Sequence, residues 1–327
     1  MKALVYIAPE TLEYREVPDP APGEDALIEI AHVGICGSDM HAYAGHDERR
    51  TPPLILGHEA AGRVIAGPDA GSRVTINPLV TCGECEACRA GRDNLCPQRQ
   101  IISMPPREGA FAERLTMPAR NLVALPDGFP TEKAALAEPL ACGWHAVRLA
   151  ERALDRPLAE ANCRVLGGGA IGLGAALVLA ARSAREITVV EMHPARRAIL
   201  AKAGPFDVCA PEGAASYAPD LVIDAVGIEA TRAAASACVR PGGVIMHIGL
   251  GSGAGGLDVR RMTLQEITFI GTYTYTAQDF RDTAAAMFDG RLGALDWPEI
   301  RPLSDGARAF AELRDGRVAA PKIILQP

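Results

Sequence analysis

Arg164-Val165-Leu166-Gly167-Gly168-Gly169-Ala170-Ile171-Gly172, continued by Ile187-Thr188-Val189-Val190-Glu191, is the stretch that decides the fold. An apolar run, a glycine turn and an Ala/Leu-rich segment over about 170–182 read as strand, turn and helix. Gly167, Gly169 and Gly172 have the G-x-G-x-x-G spacing, which allows a tight turn and lets a pyrophosphate approach the backbone. The free N–H groups that open the helix, around Ala170 and Ile171, then face the anion. Glu191 closes the second strand, where a carboxylate can accept both ribose hydroxyls and would repel a 2′-phosphate, so NAD is favoured over NADP. Arg196 and Arg197 leave an alternative open, because they could clamp a 2′-phosphate or lie along the adenine. Arg196, five residues past the acid, is compatible with the second arrangement.

Outward from this turn the pattern repeats. Strands are placed at 164–166, 187–191, 208–209, 221–224, 244–248 and 267–270, with helices at about 170–182, 194–203 and 229–239, which is the βαβ pattern of a parallel sheet. The link from Cys209 to Asp220 is too short and too rich in Gly and Pro for a full crossover helix. Residues 1–133 read instead as short β segments, with Ala26–Ile30 as a strand, punctuated by Ala21-Pro22-Gly23, Pro52-Pro53 and Pro105-Pro106. The expected division is a β-rich domain over 1–133, a parallel α/β domain over 134–275, and a segment over 276–327 returning to the first. That segment carries a helix at about 277–289 and a closing strand at Lys322-Ile323-Ile324-Leu325.

Composition agrees with two domains. A chain of 327 residues, 48% hydrophobic and 22% charged, has material for two cores. The formal charge of -7 repels phosphate backbones and anionic lipid, so neither nucleic acid nor a membrane is an expected partner. The longest apolar stretch, Ala170 to Ala181, falls short of the ~20 residues of a membrane span. No secretory signal is visible at Met1, and a cytoplasmic protein is expected. In a reducing compartment the nine cysteines are metal ligands or buried thiols instead of disulfides.

Cys82, Cys85, Cys88 and Cys96 make C-x2-C-x2-C-x7-C in a lobe at about 80–97. Four thiolates can close around one zinc, and a closed site is structural; an iron–sulfur cluster also uses four cysteines. Cys36-Gly37-Ser38-Asp39-Met40-His41, Gly57-His58-Glu59 and Glu138-Pro139-Leu140 supply a thiolate, an imidazole and two carboxylates, enough for a second zinc with a place left for substrate. Cys142, Cys163, Cys209 and Cys238 read as packed thiols.

With these motifs in this order, the sequence resembles the zinc-containing medium-chain dehydrogenases over essentially its whole length. Cys36 in C-G-S-D-x-H, His58 and Glu59 in G-H-E, the four-cysteine lobe, Glu138 in E-P-L and the glycine turn carry the resemblance. It implies a GroES-like β barrel holding both metals, a Rossmann doubly wound parallel sheet, and an active site in the cleft between them. Glu138-Pro139 is similar to the polyol, sorbitol and threonine dehydrogenase branch. The implied catalytic-zinc ligands are Cys36, His58 and Glu59, with Glu138 either a direct ligand or bonded to the zinc water. The implied reaction moves a hydride between a secondary alcohol or polyol and NAD at a zinc that acidifies the substrate hydroxyl. Its proton would leave through Ser38, the cofactor ribose and His41. Two zincs per chain and a homo-oligomer, tetramer or dimer, also follow from the resemblance. Sorbitol-type relatives carry an Arg-Tyr pair where this chain has Thr274-Tyr275, which loosens any tie to a sorbitol-like substrate. The alternatives are a zinc-free quinone or enoyl reductase of the same superfamily, which lacks both metal sites, and a non-catalytic zinc-binding interaction protein, which the acidic charge disfavours.

Overall fold

The computed structural model describes residues 1–21, 23–214 and 218–327. Pro22 of the first Pro/Gly turn and residues 215–217 of the short link lie outside them. The chain divides into two compact units, one of Met1–Glu138, Thr276–Asp289 and Pro298–Pro327, the other of Pro139–Tyr275 with Gly290–Trp297.

The second unit is built on six parallel strands in the spatial order Asp207–Cys209, Glu186–Val190, Asn162–Leu166, Leu221–Asp224, Val244–His247 and Thr268–Gly271. Counted along the chain this is 3-2-1-4-5-6, the doubly wound order whose reversal point lies beside the first strand. Asn162–Leu166 is that strand, with Val165 paired to Val189 on one side and to Ile223 on the other. Such a strand is covered on both faces, and Cys163, Val165 and Leu166 are buried with Arg164 between them. The helix Ala170–Ala181 is nearly all apolar for the same reason, with Leu173, Val178 and Leu179 fully buried. A second cluster of Leu166, Val190, Val222, Ala235, Val239, Ile245 and Ile267 packs at the sheet. Cys142 and Cys163 are buried, whereas Cys209 and Cys238 are half-buried at the margin of that cluster. The link after Cys209 contains one 3-10 turn, Pro211–Gly213. A short helix at Val259–Leu264 was not foreseen; none of its residues is buried, so it carries no apolar stripe to read.

In the first unit the strands run Leu122–Ala124, Arg73–Ile76, Glu59–Ala66, Ala26–Gly34, Ile323–Gln326 and Glu299–Pro302 across one sheet, with Arg114–Met117 pairing Ala26–Gly34 as well. A three-stranded sheet of Thr11–Glu16, Lys2–Ala8 and Leu54–Ile55 stands with it, joined by a bridge from Ala3 to Ala112. The strand Ile323–Gln326 pairs antiparallel with Ala26–Gly34. Between it and Glu299–Pro302 lies the helix Gly306–Arg314, absent from the sequence reading. It seats Phe310 in the core, 5.3 Å from the Tyr43 ring and 5.8 Å from Phe111. Among the described residues no helix is long and apolar enough to cross a membrane.

Candidate metal and nucleotide sites

Strand register assembles the first site. Gly34 pairs with Glu59 on one side and with Ile324 on the other. A Cβ on Gly34 would lie 2.1 Å from Glu59 Oε2, so only glycine lets the Glu59 side chain pass. Beyond Gly34 the chain leaves the sheet: the Ile35 N–H donates to the Ile323 carbonyl at 3.0 Å, and Cys36 precedes the helix Gly37–Tyr43. The Cys36 N–H donates to Asp39 Oδ2 at 2.9 Å, fixing that turn.

Cys36, His58 and Glu59 thereby bring one donor atom each to within 4.8 Å of one another. Glu59 is fully buried. Its Oε1 accepts from Lys322 Nζ at 2.6 Å, and Lys322, itself buried, also donates to the Ile35 carbonyl at 2.8 Å. Its Oε2 is buried with no hydrogen-bond partner among the described residues. An unsatisfied buried carboxylate oxygen is costly, and a cation beside a thiol and an imidazole satisfies it, so this donor set fits zinc.

The outer contacts orient the imidazole. His58 Nδ1 lies 3.3 Å from Asp39 Oδ1 and 3.5 Å from Ser103 Oγ, while Nε2 lies 3.5 Å from Ser38 Oγ. A carboxylate behind a ligating histidine fixes its tautomer and raises its basicity. Burial opposes charge on His58, but Asp39 and Cys36 outweigh it and hold its pKa well above the ordinary value. Likewise burial opposes the Asp39 carboxylate, and His58 and Arg50 outweigh it, leaving its pKa lowered. Burial also opposes the Lys322 charge, and Glu59 and Cys36 keep its pKa raised. Glu138 is buried in the first turn of the helix Ala137–Ala153 but stands outside the set of donors within 4.8 Å. Ser38 is half-buried, and His41 is exposed, its ring 5.5 Å from that of His46.

The four lobe cysteines converge. Cys82 and Cys88 sulfurs lie 3.8 Å apart, Cys85 and Cys88 3.5 Å, and Cys82 and Cys96 3.5 Å. Four Zn–S bonds of ~2.3 Å in a tetrahedron place sulfurs about 3.8 Å apart, and disulfide sulfurs approach to ~2.05 Å. The cage therefore fits one ion and leaves no room for an inorganic cluster. Backbone N–H groups of Glu84 and Cys85 pull the Cys82 thiol down to about 6, while burial and Cys85 push Cys88 up to about 12. The Asp93 carboxylate in this lobe accepts from the Ala277 N–H at 2.9 Å, tying the lobe to the helix Ala277–Phe288.

In the second unit the glycine turn follows the first strand. A Cβ on Gly172 would fall 1.9 Å from the Gly167 carbonyl oxygen, so the helix can start this close to the strand only with glycine there. One at Gly169, just before Ala170 and Ile171, would meet nothing within 4 Å, which leaves the approach to the backbone open and fits a pyrophosphate. Glu191 Oε2 accepts from the Gly168 N–H at 2.8 Å and Oε1 from the His193 N–H at 2.7 Å, so the carboxylate is anchored at the turn. Arg196 lies 3.7 Å from Glu191, and Arg197 donates to the carbonyls of Glu191 and Met192 at 2.8 and 2.7 Å. Thr274 holds a left-handed φ of 46°, and its buried hydroxyl has no hydrogen-bond partner among the described residues.

Lys322, Asp39, Arg50 and Ser103 escaped the sequence reading as site residues. Asp39 had a signal, since it stands three residues after Cys36 where a side chain can cap the helix. Lys322 and Ser103 reach the site through pairings far along the chain, and Arg50 sits in His46-Asp47-Glu48-Arg49-Arg50, which reads as an exposed polar loop.

Comparison with known proteins gives the family. Residues 22–127 match the alcohol dehydrogenase GroES-like domain, and residues 170–289 match the zinc-binding dehydrogenase family. An L-galactonate-5-dehydrogenase of Escherichia coli (strain K12) is 32% identical over 90% of this chain and 89% of its own length. A sorbitol dehydrogenase of Bacillus subtilis (strain 168) is 35% identical over 77% of this chain and 76% of its own. Among solved structures, an Escherichia coli oxidoreductase/dehydrogenase of unknown specificity superposes with a TM-score of 0.90 at 28% identity, covering 99% of this chain and 98% of that one. An alcohol dehydrogenase of Thermus sp. ATN1 gives 0.87 at 28% identity, over 100% and 99%. The chain belongs to the zinc-containing medium-chain alcohol dehydrogenases, in their polyol branch, oxidoreductases that pass a hydride between an alcohol and a nicotinamide dinucleotide.

Proposed function

We propose that this chain oxidises a secondary hydroxyl of a polyol or sugar acid with NAD, and that Cys36, His58 and Glu59 hold the zinc at which it does so. The observation that carries the assignment is the convergence of one donor atom from each of these residues, with Glu59 keeping a buried carboxylate oxygen that lacks a partner among the described residues. Zinc held there would supply polarisation of the substrate hydroxyl, and a bound nicotinamide would supply the hydride acceptor. Glu138 acts from outside the trio, through a water, because its carboxylate is buried nearby but not among the convergent donors. Ser38 takes the departing proton and His41, at the surface, delivers it to solvent. The names of the two curated relatives, L-galactonate-5-dehydrogenase and sorbitol dehydrogenase, support the substrate class. Cys82, Cys85, Cys88 and Cys96 hold a second, structural zinc.

Gly167, Gly169, Ala170, Ile171 and Gly172 cradle the pyrophosphate, Glu191 accepts the adenine ribose hydroxyls, and Arg196 flanks it. The protein works in the cytoplasm and as a homo-oligomer, dimer or tetramer. The strand Thr268–Gly271, which ends the six-stranded sheet, and the exposed Leu250, Val259 and Leu264 support that assembly.

Metal analysis with Cys36→Ser tests the reading. The wild type should carry about two zincs per chain. The variant should carry one, lose turnover in a screen of polyols and sugar acids followed by NADH absorbance, and still bind NADH. A Cys36→Ser protein with full zinc content and full turnover would remove the assignment.

A further inference from the structure

Arg50 is the most deeply buried arginine of the first unit, 3% exposed, although its local sequence is that of a surface loop. Its guanidinium makes four hydrogen bonds. Nε donates to the Ser103 carbonyl at 3.0 Å, Nη2 to the Ser103 hydroxyl at 3.4 Å, and Nη1 to the Ser38 carbonyl and to Asp47 Oδ2, each at 3.0 Å. Asp47 supplies the counter-charge and is itself held by Arg49, at 2.8 and 2.9 Å. A buried charge is tolerated when it is paired and hydrogen-bonded, as here.

What this guanidinium joins is specific. Ser38 and Ser103 are 65 residues apart in sequence, and each places its hydroxyl 3.5 Å from His58, Ser38 at Nε2 and Ser103 at Nδ1. Ser103 has a φ of 68°, a conformation that side-chain-bearing residues rarely adopt, and the Arg50 bonds to its carbonyl and hydroxyl hold it there. Arg50 also favours the Asp39 carboxylate behind the same imidazole.

We infer that Arg50 is a positioning residue of the proposed catalytic centre: one planar fork fixes Ser38 and Ser103 on opposite nitrogens of the His58 ring, and so sets the ring plane and the proton-accepting serine together. Resting on the reading of Cys36, His58 and Glu59 as a metal site, this extends it to a residue that touches neither metal nor substrate. The fork geometry is the reason for arginine. A lysine could keep the charge but has one nitrogen, and cannot bond two backbone carbonyls and a carboxylate in one plane.

The experiment compares zinc retention at two sites of the same molecule. Wild type, Arg50→Met, Arg50→Lys and Ser103→Gly are each loaded with zinc and titrated with a chromogenic chelator, the four-cysteine zinc serving as internal control. Loss of an outer partner of a ligating histidine lowers metal affinity about 10- to 100-fold. Arg50→Met should show that loss at one zinc per chain and none at the other, with kcat reduced and the KM for NAD unchanged, and Arg50→Lys should recover only part. Ser103→Gly relieves the φ of 68° while removing the hydroxyl beside His58, so it stays folded and should weaken the same zinc. Equal retention of both zincs in folded Arg50→Met and in Ser103→Gly overturns the inference, as does parallel weakening of both, which marks a general structural role. If Arg50→Met fails to fold, Ser103→Gly and Arg50→Lys decide alone, unchanged zinc in both counting against it. Cys36→Ser separates the two failures: if it keeps both zincs, the metal reading falls first; if it loses one while the Arg50 and Ser103 variants lose none, only the role of Arg50 falls.

Discussion

Replacing Lys322 by methionine perturbs the site at its most exposed point of logic. Methionine keeps the length of the side chain and removes the charge that meets Glu59 at 2.6 Å inside the protein. Both partners are buried, so solvent cannot take over from the lost ammonium. Breaking a buried ion pair from one side costs about 3–5 kcal/mol. In a unit of this size each kcal/mol moves the midpoint by roughly 2–4 °C, so metal-free Lys322→Met should melt about 6–20 °C below metal-free wild type. Zinc changes the sum. Thiolate Cys36 with the carboxylates of Glu59 and Glu138 outweighs a dication by one negative charge, which Lys322 balances; without Lys322 that charge is left for the metal to meet. Zinc should therefore restore more stability to the variant than to the wild type. Adding Glu59→Gln in the metal-free state should recover most of the loss, since the stranded charge is gone. Differential scanning calorimetry of the three proteins with and without zinc reads all of this. A Lys322→Met midpoint within about 2 °C of wild type in the metal-free state, or an identical loss with and without zinc, would refute the charge argument.

Zinc uptake at Cys36, His58 and Glu59 should strengthen as pH rises. Asp39 and Cys36 hold the His58 pKa well above 6.5 against burial, so the metal-free protein keeps a proton where a ligand lone pair is needed. Stability from that proton is fully present below the ordinary value and is lost as pH rises through the raised one, so the competing proton weakens zinc by about one decade per pH unit below that value. Competition titrations between pH 6 and pH 9 check this, and a flat profile contradicts it. For the cofactor, turnover should favour NAD over NADP, and Glu191→Ala should cut kcat/KM for NAD about 10- to 100-fold, the worth of a charged hydrogen bond of ~1.5–3 kcal/mol, while narrowing the ratio to NADP. A wild-type preference for NADP would overturn the role given to Glu191.

What the sequence made legible divides by distance along the chain. The glycine turn and the cysteine lobe could be read because each is closed by residues within one short segment: Gly172 packs on the Gly167 carbonyl, and the four sulfurs span Cys82 to Cys96. The positions of the parallel strands were legible too, since buried strands are largely apolar runs such as Leu221-Val222-Ile223. The helix Gly306–Arg314 was not, because only Gly306, Ala309 and Phe310 of its nine residues are buried, and so small a stripe hardly stands out in a polar tail. Lys322 and Arg50 were illegible for a stronger reason. Their meaning lies in partners that register alone supplies: Ile324 opposite Gly34 carries Lys322 to Glu59, and Ser103 must enter a left-handed turn before Arg50 can hold it. A lysine beginning an apolar strand and an arginine in a charged loop each have an ordinary surface reading until those pairings are known. A metal site written in three local motifs thus depends for its charge balance and its orientation on two cations that no local motif contains. Substitutions at Lys322 and Arg50, outside every recognisable motif, should disable the chemistry that Cys36, His58 and Glu59 advertise.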